Sequence, residues 1–255
     1  MAISVAAKTD DKQGNRYMNR CPDSDHIALV FHGFGGSVRE VAPLVAHLKA
    51  HGLRCHVVRL AGHDKRGRVQ RGFGHREFLA QACATYRQLE RSYSHIHLIG
   101  FSMGGLLALQ LAAEFNPESV ICINTPVRFW NAKAICHWLV DDWKESKPYH
   151  LRRLLLSAIR QPLPANLECP RLVKLVLPSL LRVSCPCLIV QSLLDDTADY
   201  RSAKMLANRL VNAQVSMVYL ENSWHQVCDS PDVEKLCVEA EGFIRKVKTA
   251  KKTGD

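Results

Sequence analysis

Residues Ile99 to Leu106 read IGFSMGGL, and this stretch decides how the rest of the chain is interpreted. It lies within an apolar run and places one hydroxyl, that of Ser102, among three glycines. Residues 100–104 match G-x-S-x-G, in which a sharp turn from a strand into a helix holds a serine above the sheet. Glycines at 100, 104 and 105 leave room for so tight a turn. The stretch therefore predicts a strand, a turn that exposes Ser102, and a buried helix.

The rest of the chain alternates apolar strand candidates with helical patterns. The strand candidates are Ile27–Phe31, Cys55–Leu60, His95–Gly100, Ser119–Asn124, Cys187–Ser192 and Val215–Leu220. The helical patterns cover Val38–His51, His75–Arg91, Met103–Phe115, Tyr200–Leu210 and Val233–Lys248. Most strand candidates are apolar throughout, as parallel strands covered on both faces are. The alternation predicts an α/β domain with a mostly parallel sheet flanked by helices.

Residues 127–182 interrupt this alternation. They show helical patterning and several prolines but no good strand candidate. The apolar residues noted here are Trp130, Trp138, Trp143, Leu151, Leu154, Leu155 and Leu156. We interpret the segment as a helical insertion over the carboxyl edge of the sheet. A pair of ordinary crossover helices is the alternative.

Composition excludes several classes of protein. The chain has 255 residues, nearly half of them hydrophobic, which suits one large globular core rather than a disordered or fibrous protein. The net charge of +10 invites a nucleic-acid interpretation, but the basic residues are scattered and no nucleic-acid motif accompanies them. The one basic run, within residues 245–252, is typical of a solvated chain end. We therefore expect no nucleic-acid partner.

Ten cysteines show no spacing typical of zinc or redox sites, and several fall inside strand candidates as small apolar residues. The first residues, MAISVAAKTDDK, do not form a convincing signal peptide. So many free thiols favour a reducing, cytoplasmic location. The apolar stretch 98–113 is short and interrupted for a membrane span, so no stable membrane insertion is expected.

A second glycine-rich turn, HGFGG at His32–Gly36, directly follows the first strand candidate. Its backbone can place the N–H of Phe34 beside that of Met103, which gives two donors for a developing oxyanion. A glycine-rich turn without chemistry is the alternative. His32, like His63, lies at a strand end, where holding a loop is a commoner role than catalysis.

A carboxylate and a histidine follow the two last strand candidates. Asp195 and Asp196 end the stretch CLIVQSLLDD and Asp199 follows closely, so three acids compete for the role of orienting a histidine. His225 lies in the loop ENSWHQV after VSMVYL. The resulting order, serine, acid, histidine, is the chain order of α/β-hydrolases.

These motifs resemble those of α/β-hydrolases, in particular small bacterial carboxylesterases and monoacylglycerol lipases. The resemblance rests on HGFGG with the following helix, on GFSMGG, and on PCLIVQSLLDD with ENSWH, and it covers roughly residues 25–125 and 183–248. It implies a hydrolase core of residues 1–126 and 183–255, with a small helical cap, 127–182, inserted after the sixth strand. The spacing from Asp195 to His225 suits the family and favours Asp195. Asp64 stands where the family has a second glycine, and no glycine precedes the acid.

The resemblance implies a serine hydrolase that cleaves carboxylic esters of short- to medium-chain acyl groups. Ser102 is the expected nucleophile, His225 the general base and acid, and Asp195 the orienting acid, with Phe34 and Met103 as oxyanion donors. No metal or organic cofactor is required, and the partner is a small-molecule ester. The same scaffold serves thioester, lactone, amide and carbon–carbon chemistry, and a non-catalytic binding module is a further alternative. The sequence leaves open whether the protein is a monomer or a homodimer.

Overall fold

The computed structural model describes residues 25–63, 69–70, 72–129, 140, 142–144, 148 and 167–252. Its strands are β1 (His26–Phe31), β2 (Arg54–Val58), β3 (His95–Phe101), β4 (Ser119–Ile123), β5 (Cys187–Ser192) and β6 (Val215–Leu220). Its α-helices are α1 (Ala42–Ala50), α2 (His75–Leu89), α3 (Met103–Phe115), α4 (Glu168–Ser179), α5 (Arg201–Ala207) and α6 (Val233–Lys252). The α/β prediction is confirmed.

The six strands form one parallel sheet in the order β2-β1-β3-β4-β5-β6. After β1 the chain moves outward to β2, and it then returns to the other side of β1 as β3. In sheets of this kind ligands bind outside the carboxyl ends of the strands, at the point where the direction of winding changes. The turns that follow β1 and β3 lie at that point, and they contain HGFGG and Ser102.

Two apolar cores cover the two faces of the sheet. Alternate residues of β1 point to opposite faces: Leu29 joins residues of α2, α3, α4 and α5, whereas Val30 joins residues of α1 and α6. This explains why the central strands are apolar throughout, since both faces of the sheet are buried. The stretch 98–113 is β3, the turn at Ser102 and α3, and among the described residues no helix has the length and apolar character of a membrane span.

The segment 127–182 leaves the sheet after β4, the fourth described strand, whereas the cap was expected after a sixth strand. Its last part forms α4 and a 3₁₀ turn, Leu180–Arg182. Leu172, Val176 and Leu180 are fully buried in the core that also holds α3. This stretch therefore packs against the hydrolase-like core. Trp130, Trp138, Leu151, Leu154, Leu155 and Leu156 lie outside the described residues, and the cap itself stays a prediction.

Candidate active site

Ser102 occupies a strained turn between β3 and α3. Its backbone has φ 54° and ψ −124°, and the positive φ is one that side chains other than glycine seldom adopt. The N–H of Ser102 donates to the carbonyl of Ile123 in the next strand at 2.8 Å, which fixes the turn to the sheet. A Cβ added to Gly104 would lie 2.4 Å from the carbonyl oxygen of Phe31. The glycine thus lets the start of α3 approach the end of β1.

Ser102, His225 and Asp195 form a continuous hydrogen-bonded chain. The Oγ of Ser102 lies 2.9 Å from Nε2 of His225, and Nδ1 of His225 lies 2.9 Å from both carboxylate oxygens of Asp195. An ionised carboxylate only accepts hydrogen bonds, so Nδ1 carries the proton and the lone pair of Nε2 faces the serine hydroxyl. The structure therefore brings together the three residues predicted from three distant loops, in the geometry that activates a serine.

The other two candidate acids have different partners. Asp196 accepts from the hydroxyl of Thr197 at 3.2 Å, and Asp199 forms an ion pair with Arg128 at 3.1 Å. Asp195 is fully buried, and besides His225 it accepts two backbone N–H bonds, from Thr197 and Ala198, each at 2.8 Å. Among the three, Asp195 is the one in contact with His225.

Carboxylates dominate the electrostatics around His225. Burial favours the neutral imidazole, but the negative charges of Asp195, Asp196 and Glu40 outweigh this effect and raise the pKa of His225 above its ordinary value. Such an imidazole takes up a proton from a serine more readily.

The HGFGG loop is fixed by hydrogen bonds on both sides of Phe34. The N–H of Gly33 donates to Glu40 at 3.1 Å, and that of Gly35 donates to Nε2 of His63 at 3.1 Å. Nδ1 of His32 donates to the carbonyl of Gly33 at 2.8 Å, and Nε2 of His32 accepts a hydrogen bond from the N–H of Leu60 at 3.2 Å. Burial lowers the pKa of His32 to about 4, so this ring is neutral and serves as a loop support.

The two expected oxyanion donors lie on adjacent turns at the edge of the sheet. Phe34 follows β1, Met103 follows Ser102, and β1 pairs with β3. In the part of the chain that the structure describes, the N–H of Phe34 has no hydrogen-bond partner. Met103 is the first residue of α3, where N–H groups have no acceptor within the helix. Asp64, which stands where the family has a second glycine, lies outside the described residues.

Two supporting residues were missed by the sequence interpretation. Asn124 follows β4 with φ 47°, and its side-chain amide donates to the carbonyl of His225 at 2.9 Å and to Oγ of Ser192 at 3.0 Å. Its Oδ1 accepts the N–H of Ser192 at 2.7 Å. Glu40 joins two loops, since it accepts from Gly33 and also from the amide of Gln226 at 2.7 Å. Asn124 ends a strand candidate, which is the one signal for it, whereas Glu40 lies inside the predicted helix Val38–His51 and has no such signal.

Comparisons with known proteins identify the family of the chain. The profile of the alpha/beta hydrolase family matches residues 28–234. A thermostable monoacylglycerol lipase from Bacillus sp. (strain H-257) is 25% identical over an alignment of 206 residues, and the match covers 77% of this chain and 81% of that protein.

Solved structures share the fold. One of the metagenome-derived lipolytic enzymes studied as LipS and LipT superposes with a TM-score of 0.70 at 22% identity, over 88% of this chain and 95% of that chain. The monoacylglycerol lipase of Paleococcus ferrophilus superposes with a TM-score of 0.69 at 13% identity, over 89% of this chain and 96% of that chain. An enol-lactonase from Burkholderia xenovorans LB400 superposes with a TM-score of 0.58 at 20% identity, over 86% of this chain and 92% of that chain. The fold by itself therefore does not identify which bond is cleaved.

Proposed function

Because the chain belongs to the alpha/beta hydrolase family, we propose that it hydrolyses carboxylic esters of short- to medium-chain acyl groups through an acyl-enzyme on Ser102. One observation carries the proposal, namely the unbroken chain of contacts from Ser102 Oγ through His225 to Asp195. The similarity to a monoacylglycerol lipase supports an ester as the substrate. A carboxylesterase or a monoacylglycerol lipase is the type of enzyme that we propose.

In the proposed first half-reaction, Nε2 of His225 takes the proton of Ser102 while Oγ attacks the ester carbonyl. The tetrahedral oxygen accepts hydrogen bonds from the N–H groups of Phe34 and Met103, each contributing about 3–4 kcal/mol to the transition state. The bond to the alkoxy oxygen then breaks, and His225 delivers its proton to the departing alcohol. The acyl group is left on Ser102.

In the second half-reaction, His225 takes a proton from water, and the hydroxyl attacks the acyl carbonyl. Collapse of this second intermediate breaks the bond to Oγ, which regains the proton, and the carboxylic acid leaves. Asp195 stabilises the imidazolium in both halves. Positioned proton transfer of this kind contributes about 10²–10⁴ in rate.

Changing Ser102 to alanine tests the nucleophile. Ser102→Ala is expected to reduce ester turnover by at least about 10³-fold. Its melting temperature should stay at or slightly above that of the parent protein, because the substitution removes only the oxygen atom of one side chain. The parent protein should react with a fluorophosphonate probe at Ser102, as located by peptide mass mapping. Normal turnover in the variant, or labelling elsewhere, would contradict the mechanism.

The substrate class needs a separate panel. We expect p-nitrophenyl esters of short and medium acyl chains to be cleaved faster than thioesters, lactones and amides of matched size. Faster cleavage of one of the other classes would keep Ser102 as nucleophile but replace the ester assignment. Absence of both labelling and turnover would favour a non-catalytic binding module.

A further inference from the structure

Two histidines and one carboxylate meet where α1 packs against α6, outside the candidate active site. His47 lies in α1 and His51 directly follows it, so the two rings are one helical turn apart on the same face. Glu241 lies in α6, 194 positions after His47. The sequence interpretation found no metal-ligand cluster, because nothing in the spacing joins residues so far apart.

The ligand atoms lie close enough together for small side-chain movements to enclose a divalent cation. Nε2 of His47 and Nε2 of His51 lie 3.2 Å and 3.8 Å from Oε2 of Glu241, and all three atoms lie within 4.8 Å of one another. A tetrahedral zinc ion with bonds of about 2.0–2.2 Å holds its ligand atoms roughly 3.4 Å apart. Because the separations reach at most 4.8 Å, the side chains must close by up to roughly 1.4 Å to enclose an ion.

Neighbouring groups already orient these ligands. Nδ1 of His51 donates to the backbone carbonyl of His47 at 2.8 Å, which leaves the Nε2 lone pair directed toward Glu241. The other carboxylate oxygen, Oε1, accepts a hydrogen bond from Arg245, so Oε2 is the one that faces the imidazoles. Outer partners that fix tautomer and ring orientation are typical of metal-binding histidines.

We propose that His47, His51 and Glu241 bind one divalent transition-metal ion of the zinc class, with water completing the coordination. Two imidazoles and one carboxylate favour zinc, and related ions, over magnesium or calcium, which prefer oxygen ligands. His51 lies between the end of α1 and the start of β2. The site therefore lies toward the amino edge of the sheet, opposite Ser102. The ion would tie α6 to α1 and stabilise the fold, without taking part in ester cleavage.

Metal binding is measured on the full-length protein after treatment with a chelator and removal of that chelator. Titration with ZnCl₂ in a calorimeter should show one saturable site per chain, and zinc should raise the melting temperature. His51→Ala and Glu241→Gln should each weaken zinc affinity by on the order of tenfold to a hundredfold or more and remove most of the thermal shift. Exposed His56, on β2, provides the matched control, and His56→Ala should bind zinc like the parent protein.

Cobalt(II) distinguishes this site from the cysteines. Bound Co²⁺ should show visible d–d absorption without the near-ultraviolet charge-transfer band that thiolate ligands produce. Three results would overturn the proposal: no saturable zinc binding by the parent protein, unchanged affinity in His51→Ala, or a thiolate band. The first of these would leave the cluster as a hydrogen-bonded histidine–glutamate pair. Ester turnover in His51→Ala should equal that of the parent, whichever bond the enzyme cleaves.

Discussion

At the scale of single residues, Asp195 differs from its two neighbours in what it touches. It contacts His225 and receives two backbone N–H groups, whereas Asp199 pairs with Arg128 and Asp196 contacts Thr197. From the sequence, Asp195 is favoured only because its separation from His225 is the one that the family has. The contacts supply a physical reason, since only this carboxylate can hold the imidazole tautomer that accepts the serine proton.

Three matched variants check this assignment. Asp195→Asn should lower kcat by on the order of 10³–10⁴-fold, because an amide at this position no longer selects the required tautomer. Asp196→Asn and Asp199→Asn should each retain kcat within about tenfold of the parent. Steady-state kinetics on one p-nitrophenyl ester give the comparison. A larger loss in either of the two latter variants would transfer the role to that residue.

Glu40 is a partly buried carboxylate that takes no direct part in the proposed reaction. Burial raises the pKa of its carboxyl above the ordinary value, against the opposing effect of the hydrogen bonds from Gln226 and Gly33. It connects the loop of the expected oxyanion donor with the loop of His225, and its negative charge favours the imidazolium of His225. Glu40 is therefore a positioning residue with an electrostatic effect on the base.

Glu40→Gln should move the acid limb of the kcat/KM profile to lower pH, by about one pH unit or less. The sign follows from the mechanism: activity requires neutral His225, and removing a negative charge lowers the pKa at which this imidazole is protonated. Glu239→Gln, an exposed position on α6, is the control and should leave the profile unchanged. An acid limb that stays in place or moves to higher pH would show that Glu40 acts on packing alone.

At the scale of elements, the contact between the start of α3 and the end of β1 determines the distance between the nucleophile and the HGFGG loop. Gly104 permits it, because a side chain there would meet the carbonyl oxygens of Phe31 at 2.4 Å and His32 at 2.8 Å. Gly242 in α6 is the opposite case, since an added Cβ would have no neighbour within 4 Å.

The two glycines should therefore respond in opposite directions to alanine. Gly104→Ala should reduce the free energy of unfolding by about 1–3 kcal/mol and lower kcat, since backbone atoms must shift beside the site. Gly242→Ala should increase the free energy of unfolding by about 0.5–1 kcal/mol, because alanine favours the helix and meets no obstacle. Urea denaturation measures both. Equal stability of Gly104→Ala and the parent would contradict the tight contact.

The predicted bounds of some elements match the structure, whereas others differ where local geometry decides. β5, β6 and α3 have the predicted bounds. The predicted helix Val38–His51 is instead a 3₁₀ turn, Val38–Val41, followed by α1 with Pro43 in its first turn. Proline has no N–H to donate and is favoured at a helix start, so it begins α1 there.

At the scale of the whole molecule, two buried neutral histidines link stability to pH. Burial lowers the pKa of His97 to about 3 and that of His32 to about 4. Below the ordinary value of about 6.5 the unfolded chain binds these protons and the folded chain does not, so stability falls as pH falls. His225, with a raised pKa, acts in the opposite sense and offsets part of the loss.

Between pH 7 and pH 5, the free energy of unfolding should decrease by on the order of 2–4 kcal/mol. His97→Asn should reduce this dependence on pH, whatever its effect on stability at pH 7. His56→Asn, at an exposed position, should not change it. Urea unfolding at a series of pH values gives the slopes, and a slope in the parent protein equal to that of His97→Asn would contradict the argument.

The six strands and their mostly parallel direction could be inferred from motifs and periodicity, and the choice of Ser102, Asp195 and His225 also drew on the family resemblance. The supports of the site could not, because Asn124 and Glu40 act through contacts 101 and 186 positions away along the chain and belong to no motif. Long-range polar contacts between single residues leave no periodic trace in a sequence. The same reason conceals the cluster of His47, His51 and Glu241.

Asn124 directly follows β4 and Ser192 ends β5, and two hydrogen bonds join these residues at the carboxyl edge of the sheet. These bonds fasten the carboxyl end of β4 to that of β5, beside the loop that carries His225. Because α4, within residues 127–182, packs into the buried core, an exchange that keeps α4 and these two bonds should leave Ser102, Asp195 and His225 in register. Grafting only residues 130–166 from a lipolytic relative, with α4 retained, is therefore a rational route to altered selectivity.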